Sequence, residues 1–313
     1  MRKARTASTD PKGGYSKMIK LEFPLASPPS PVNGLSLALG NFDGFHLGHQ
    51  SLALKAKEGE GPSGILFFKN PFDASKPLLS DLEDKIRYAN PFDLDYAYVL
   101  DNDPSFYSLS KADFLFFLRG LGVARVVVGE DFRFGKNQEG GISDLQETFQ
   151  TEVCPLISDE SGNKISSSSI RELLKSGKVE EARKELGRPY EIKGTVVHGF
   201  ENGRKIGFPT LNLDLSSPYL LPASGVYAGL TYLSGIPYPS MINVGSNPTV
   251  GKLLAPIAES HLLTEKDIDG YGKRAYFAFY ARLRGEKRFS SLEELKAQLE
   301  QDEVSAREAL EKL

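Results

Sequence analysis

The sequence predicts an α/β domain with a parallel sheet, followed by a small antiparallel β-barrel and a C-terminal helix. Before residue 187, short apolar segments alternate with helical patterns, which is typical of a parallel α/β layer. After Gly187 the chain changes to short strand patterns separated by Gly and Pro, at the spacing of a small barrel. Leucines at helical spacing close the chain.

The first part contains the α/β elements in chain order. Apolar or β-branched runs predict strands, whereas apolar residues three and four apart predict helices. The strands are expected at residues 19–23, 35–39, 64–68, 97–100 and 125–128, and the helices at 81–88, 111–119, from 170 onward and at 179–186. Ligands gather at the carboxyl ends of parallel strands, so the loops after residues 39 and 128 are candidate binding loops.

The second part contains the barrel and the closing helix. Its strands are expected at residues 192–197, 225–232, 240–244, 257–263 and 274–283. Ser290 and Glu293 form a capping-box pattern, and Leu292, Leu295 and Leu299 then follow on one helical face. We expect that face to pack on the barrel.

The basic N-terminal segment is expected to be a disordered tail. Residues 1–17 carry five Lys or Arg against one acid and show no apolar periodicity. The same basic composition leaves an organellar transit peptide as an alternative. The predicted organisation is therefore a tail over residues 1–17, an α/β domain over 18–186 and a barrel domain over 187–313.

Composition narrows the class of protein. The 313 residues have a formal net charge of −3, which argues against nucleic acid as the main partner. The single cysteine, Cys154, cannot form an internal disulfide and is expected to be a buried small residue in a reducing compartment. No apolar run approaches the length of a membrane span, so we expect a cytoplasmic location and no membrane contact.

The most informative segment is the glycine-rich turn after the strand at residues 35–39. Gly40, Gly44 and Gly48 allow tight turns and close approach of a ligand, and the following helix directs free N–H groups toward it. His46 and His49 can donate to phosphate oxygens while charge develops on a leaving pyrophosphate. The pattern predicts nucleotidyl transfer, although surface histidines or a metal pair would give the same local sequence.

Two further loops carry candidate phosphate contacts. The β-branched strand at residues 125–128 leads to Asp131, flanked by aromatic residues that can shape a pocket. A run of serines including Ser168 can cap a helix start, and Arg171 in its first turn offers a fork that fits phosphate oxygens.

In the second part, residues 198–212 combine several glycines with a lysine and with two side chains that carry oxygens, a threonine and an asparagine. Its glycines could wrap phosphates and its lysine could offset their charge; these are Gly199, Gly203, Gly207 and Lys205. Thr210 and Asn212 lie two apart on an extended chain, where both oxygens could hold Mg²⁺ bridging ATP phosphates. A β-hairpin with a glycine turn is the structural alternative.

These motifs resemble a known family. Residues 41–49 resemble the H-x-G-H nucleotidylyltransferases and, in this fuller form, the FMN adenylyltransferase half of the bifunctional riboflavin kinase/FAD synthetases. Residues 128–135 and 166–171 match the next two family motifs, and residues 203–212 look like the riboflavin kinase signature. The resemblance implies a Rossmann-like nucleotidylyltransferase domain followed by a riboflavin kinase barrel with a C-terminal helix.

The resemblance also implies residue roles. Catalytic roles would fall on His46, His49, Arg171 and Glu259, the last as general base for the ribityl 5′-hydroxyl. Nucleotide and phosphate contacts would come from Gly40, Asn41, Phe42, Asp43, Gly44, Gly48, Asp131, Ser168, Gly199, Gly203, Lys205 and Gly207. Thr210 and Asn212 would be metal ligands, and Asn70 and Arg284 would contact flavin.

Two departures from the family pattern stand out. Asn70 occupies the position of an expected histidine, and an asparagine cannot carry positive charge. The loop after His261 is one residue longer than the family form, which surface loops tolerate.

The expected activity is FAD biosynthesis, with riboflavin, FMN, FAD and ATP as ligands and Mg²⁺ as the metal. ATP would phosphorylate riboflavin to FMN, and a second ATP would adenylylate FMN to FAD and pyrophosphate. Two alternatives remain open: an enzyme with only the kinase half active, or a flavin- and nucleotide-binding sensor without turnover. The sequence leaves the oligomeric state open.

Overall fold

The computed structural model describes residues 17–22, 30–69, 75–101, 105–198, 206–247, 255–266 and 268–312. The chain forms two compact units. The first contains residues up to 76 and residues 80–166, and the second contains residues 77–79 and everything from 167 onward.

The first unit is built on a fully parallel six-stranded sheet of order β1-β4-β3-β2-β5-β6. The strands are β1 Lys17–Glu22, β2 Leu35–Leu39, β3 Ser63–Phe68, β4 Tyr96–Asp101, β5 Val123–Gly129 and β6 Gln150–Cys154. Its helices are α1 Leu47–Lys57, α2 Leu82–Ala89, α3 Lys111–Gly120 and α4 Ile142–Gln146.

Both faces of this sheet are covered, which explains why the central strands are apolar throughout. Every residue of β2 and of β3 is buried. Leu37 belongs to a cluster that includes Phe114 and Phe117 of α3, whereas its neighbour Ala38 belongs to a second cluster with Ala53 of α1. Successive side chains of a strand point to opposite faces, so each strand contributes to both cores.

The direction in which successive strands are added to the sheet reverses at β2. The chain runs β2, β3, β4 toward one edge and then returns to place β5 on the other side of β2. The register pairs Ala38 with Val127, so the loops after Leu39 and Gly129 leave the same edge of neighbouring strands. Such a topological switch point is where open α/β sheets bind ligands.

The second unit is a closed six-stranded barrel of order β10-β11-β8-β7-β12-β9. Its strands are β7 Tyr190–Val197, β8 Leu211–Leu215, β9 Gly225–Leu233, β10 Ile236–Asn247, β11 Ala255–Leu262 and β12 Arg274–Gly285. The described residues of this unit also form the helices α5 Ser167–Lys175, α6 Val179–Leu186 and α7 Leu292–Glu311.

The closing helix packs on the outside of the barrel. Val226, Ala228 and Met241 point away from the barrel interior and form a small cluster with Phe208 and with Ala306 of α7. The helix therefore packs on the barrel as expected, with Leu299 against this cluster, but Leu292 of the predicted face is 63% exposed. The predicted cap is one residue off, because Ser291 is the N-cap and its side chain accepts from the Glu294 backbone N–H at 3.1 Å.

A bidentate ion pair joins the helix to the barrel. Arg284 of β12 donates from Nε to Asp302 at 3.0 and 2.9 Å and from its terminal nitrogen at 2.7 Å. Asp302 lies on α7 and is buried. A planar guanidinium suits this geometry better than a point charge would.

Most of the predicted elements are present, and the missed ones are short. The predicted strands and helices match within a few residues, and Cys154 is buried, with burial raising the pKa of its thiol. The strand β6 and the helix α4 were not predicted, and β8 lies in the segment predicted as a glycine-rich loop. Within the described ranges, no helix is long and apolar enough to cross a membrane.

Replacing Arg284 with Ala is expected to lower the free energy of unfolding by about 3 kcal/mol, because it leaves a buried carboxylate without its cation. The matched control is Lys175→Ala, which removes the exposed Lys175–Glu172 pair and is expected to cost about 0.5 kcal/mol or less. Denaturant unfolding followed by circular dichroism measures both, and equal losses would contradict the anchoring role.

Candidate active sites

The turn after β2 has an unusual backbone. Phe42 and Phe45 are fully buried and adopt positive φ angles of 54° and 43°. Bulky side chains rarely enter this left-handed region, which costs about 1–3 kcal/mol per residue and usually marks a functional segment. Gly44 also has a positive φ, 77°, at no steric cost. The chain therefore maintains a strained turn at the carboxyl edge of the sheet.

The two histidines meet where this turn enters α1. His46 is the N-cap residue, and its ring stacks on that of His49 with centroids 3.7 Å apart. Gly48 lies between them, and a Cβ there would come within 3.1 Å of the His46 ring. A larger residue at that position would therefore push against the His46 ring. The stacking brings two imidazoles together beside the free N–H groups at the start of α1, a position that favours the binding of an anion.

Asp131 lies at the neighbouring strand end, after β5. Its carboxylate is exposed and accepts from the Lys164 ammonium group at 2.5 Å. Lys164 was not predicted as a site residue, because a single lysine in a loop has no sequence pattern that indicates a binding role. The switch point therefore presents the histidine pair on one loop and an ion pair on the adjacent one.

Ser168 and Arg171 lie on α5, in the second compact unit. Ser168 is exposed, and Arg171 donates to the Ser167 carbonyl at 3.0 Å and to the Pro77 carbonyl at 3.3 Å. The buried face of the helix carries Ile170 and Leu174. Ser168 thus lies in the first turn of the helix, as expected, whereas Arg171 is its fifth residue and begins the second turn.

The barrel has a cavity of about 810 Å³ on its outer side. Thr210 and Asn212 both line it, as does Gly207, which has a φ of 90°. The predicted oxygen pair therefore opens into one space. The cavity is large enough for a ligand of the size of a nucleotide or flavin.

Glu259 lies beside this oxygen pair. It is directly opposite Asn212 in the antiparallel pairing of β11 with β8. Residues opposite each other in such a pair have neighbouring side chains on the same face. Burial raises the pKa of the Glu259 carboxyl, which is typical of a group that accepts protons in a reaction.

Other residues line the cavity without having been predicted as site residues, among them His261, Tyr271, Glu303 and Arg307. His261 contacts the Pro209 carbonyl through Nδ1 at 2.8 Å, and Tyr271 stacks on His198 with ring centroids 3.7 Å apart. Glu303 and Arg307 pair with each other on α7 at 2.7 Å. Only the packing of α7 on the barrel brings them to this cavity.

Some predicted residues are not placed in either site. Asn70, Gly199, Gly203 and Lys205 lie outside the described residues. The Arg284 guanidinium donates to Asp302. Its predicted contact with flavin stays a prediction.

The donor set of the cavity suits a magnesium ion. Mg²⁺ prefers oxygen ligands and keeps several waters, so it needs few protein groups when phosphates supply the rest. Thr210 and Asn212 provide two such oxygens on one cavity wall. In the described part of the chain, no group of three His, Cys, Asp or Glu could form a denser metal site.

Replacing Glu259 with Gln is expected to stabilise the protein at neutral pH in metal-free buffer. Below about pH 4 the carboxyl is protonated in the folded and unfolded states alike, so the two proteins should be equally stable. As the pH rises through the raised pKa of the folded state, the wild type must carry a buried charge and loses stability.

Melting temperatures from pH 4 to 8 measure this difference. The control is Glu308→Gln, which changes an exposed carboxylate on α7 and should show no pH-dependent difference from the wild type. A constant difference between Glu259→Gln and the wild type across the range would contradict the burial argument.

Comparison with known proteins identifies the relatives of this chain. Residues 29–169 match the family model described as FAD synthetase, and residues 186–310 match the one described as Riboflavin kinase. Curated proteins named Bifunctional riboflavin kinase/FMN adenylyltransferase are similar over most of the chain. The one from Listeria monocytogenes is 35% identical, covering 95% of this chain and 99% of the relative. The one from Escherichia coli K12 is 36% identical, covering 89% and 94%.

A solved structure supports the fold of both units. The crystal structure described as that of a Macrolide-efflux Protein from Streptococcus pneumoniae is 29% identical and has a TM-score of 0.82. The match covers 92% of this chain and 98% of that chain. Taken with the two family models and the curated relatives, the motifs and their geometry lead to one conclusion: the chain belongs to the family of bifunctional riboflavin kinase/FMN adenylyltransferases.

Proposed function

We propose that the two activities of this family reside in separate sites: FMN adenylylation at the histidine turn and riboflavin phosphorylation in the barrel cavity. Family membership makes the chain a kinase and nucleotidyltransferase of FAD biosynthesis, which proceeds through FMN. The observation that carries the residue assignment is the pairing of Glu259 with Asn212 beside the Thr210-lined cavity.

In the kinase site, Glu259 takes the proton from the ribityl 5′-hydroxyl of riboflavin as that oxygen attacks the γ-phosphate of ATP. Because burial raises the pKa of its carboxyl, Glu259 is a stronger base than an exposed glutamate. Thr210 and Asn212 would hold Mg²⁺, which offsets phosphate charge when bound. The products are FMN and ADP.

In the adenylyltransferase site, the FMN phosphate attacks the α-phosphate of a second ATP and pyrophosphate leaves. His46 and His49 donate to the triphosphate oxygens while the α1 amides stabilise the developing charge. The nucleotide contacts assigned to residues 40–48 and to Asp131 belong to the same proposal, whereas the phosphate contacts expected of Ser168 and Arg171, which lie in the second unit, stay predictions. No covalent enzyme intermediate is needed, because positioning and charge stabilisation suffice for phosphate transfer.

The same proposal covers the domain limits, the ligands and the location. We assign adenylylation to residues 18–186 and phosphorylation to residues 187–313, with riboflavin, FMN, FAD and ATP as ligands. The absence of a basic excess in the sequence supports small-molecule ligands and not nucleic acid. We place the enzyme in the cytoplasm, in line with its single cysteine.

Separate substitutions should remove one activity each. With Glu259→Gln, FMN formation from riboflavin and ATP is expected to fall by at least about 100-fold, while added FMN is still converted to FAD. With His46→Asn, FMN is expected to accumulate from riboflavin while FAD formation falls by about 100-fold.

Chromatographic separation of riboflavin, FMN and FAD over time measures both reactions, with the wild type as reference. If either substitution abolished both activities, or if His46→Asn left FAD formation intact, the assignment of separate sites would be wrong.

Removing divalent metal with EDTA is expected to stop both reactions, because each transfers a group from the polyphosphate of ATP. Excess Mg²⁺ added back should restore FMN formation and then FAD formation, measured by the same chromatography. Full FMN formation in the presence of EDTA would contradict the role given to Thr210 and Asn212.

A further inference from the structure

A serine outside the predicted motifs contacts the histidine turn at two consecutive residues. Ser80 lies just before α2 and is 1% exposed. Its backbone N–H donates to the Asp43 carboxylate at 3.0 Å, and its hydroxyl lies 3.4 Å from the same oxygen. The hydroxyl also accepts from the Gly44 backbone N–H at 2.7 Å. One side chain thus links the carboxylate of Asp43 to the amide of the next residue.

A buried lysine of α2 adds a second contact. The Lys85 ammonium group donates to the Asn41 carbonyl at 3.0 Å. The helix that carries it is itself fixed by a capping box, in which Asp81 accepts from the Asp84 backbone N–H at 3.0 Å. The start of α2 therefore holds three of the four residues from Asn41 to Gly44.

These contacts act on the strained part of the turn. Phe42 and Phe45 both lie in the left-handed region, and such a conformation persists only where the surrounding structure determines it several times over. The turn leads directly into His46, the N-cap of α1. A small change in its path would therefore displace the histidine pair and the first helical amides together.

We propose that Ser80, supported by Lys85, is a positioning residue for adenylyl transfer. Its hydroxyl, shared between the Asp43 carboxylate and the Gly44 amide, fixes the turn so that His46, His49 and the first amides of α1 meet the triphosphate of ATP. This role rests on the proposed adenylyltransferase site. Ser80 touches no substrate in this proposal and acts only through the turn.

The test compares Ser80→Ala with Ser63→Ala in the full chain. Ser63 is also 1% exposed, and its hydroxyl also bonds an aspartate, donating to Asp95 at 2.6 Å. It is the first residue of β3, so it lies at the amino ends of the parallel strands, whereas the histidine turn lies at their carboxyl ends. Both substitutions remove one buried hydroxyl, so the stability losses should be similar. Riboflavin kinase activity reports the folded fraction of the second unit, and thermal unfolding followed by circular dichroism shows whether the first unit, which holds both serines, is folded at the assay temperature.

With Ser80→Ala, kcat/KM for FMN adenylylation is expected to fall at least about tenfold while riboflavin kinase activity stays within about twofold. With Ser63→Ala both activities should stay within about twofold. Lys85→Met, which keeps the aliphatic stem, should lower adenylylation in the same direction as Ser80→Ala. Equal adenylylation in the Ser80 and Ser63 variants, or a parallel loss of both activities in Ser80→Ala, would overturn the proposal.

Hydrogen exchange separates this proposal from the assignment of function. Backbone amides of residues 40–50 are expected to exchange faster in Ser80→Ala than in the wild type or Ser63→Ala, whether or not FAD is formed. Equal exchange in all three proteins would overturn the positioning role. If Ser80→Ala exchanges faster than the wild type but the wild type makes no FAD from FMN, the proposed adenylyltransferase site is refuted and the positioning of the turn by Ser80 is not.

Discussion

The backbone pairing of the strands is the interaction on which both sites depend. In the first unit, pairing of Ala38 with Val127 sets the loops after β2 and β5 side by side. In the second, pairing of Glu259 with Asn212 sets a carboxylate beside an amide on the outer barrel surface. Interstrand hydrogen bonds fix such spacings to within fractions of an ångström. Phosphate transfer relies on positioning more than on reactive side chains, so this rigidity serves the chemistry directly.

Different contacts hold the candidate sites of the two units in place. At the histidine turn, a strained backbone is held by contacts from the start of α2, and the glycines leave room for the stacked rings. At the barrel cavity, Thr210 lies just before β8 and Asn212 on it, Glu259 lies opposite Asn212 on β11, and α7 supplies Glu303 and Arg307. The Arg284–Asp302 pair joins that helix to the barrel, so a contact remote in sequence shapes the cavity.

Local sequence predicted much of the fold because most helices and strands have a recognisable apolar pattern within a few residues. Apolar or β-branched segments of four or five residues predicted β2, β3 and β5, and helical spacing predicted α3, α6 and α7. The elements that were missed had weaker signals. β6 carries Gln150, Thr151 and Glu152 because it is an edge strand, and α4 is only five residues long. The cap of α7 was shifted by one because Ser290 and Ser291 offer the same chemistry.

The sequence by itself determined the chemistry of the chain, because its glycines, histidines and Thr-x-Asn oxygens form motifs over short, contiguous stretches. Tertiary structure decided which distant residues complete each site. Ser80 meets Asp43 across 37 positions, and Lys164 meets Asp131 across 33. The β8 strand enters the barrel between β7 and β11, and α7 brings Arg307 to the cavity. These contacts depend on long-range strand pairing and on burial, which no local pattern encodes.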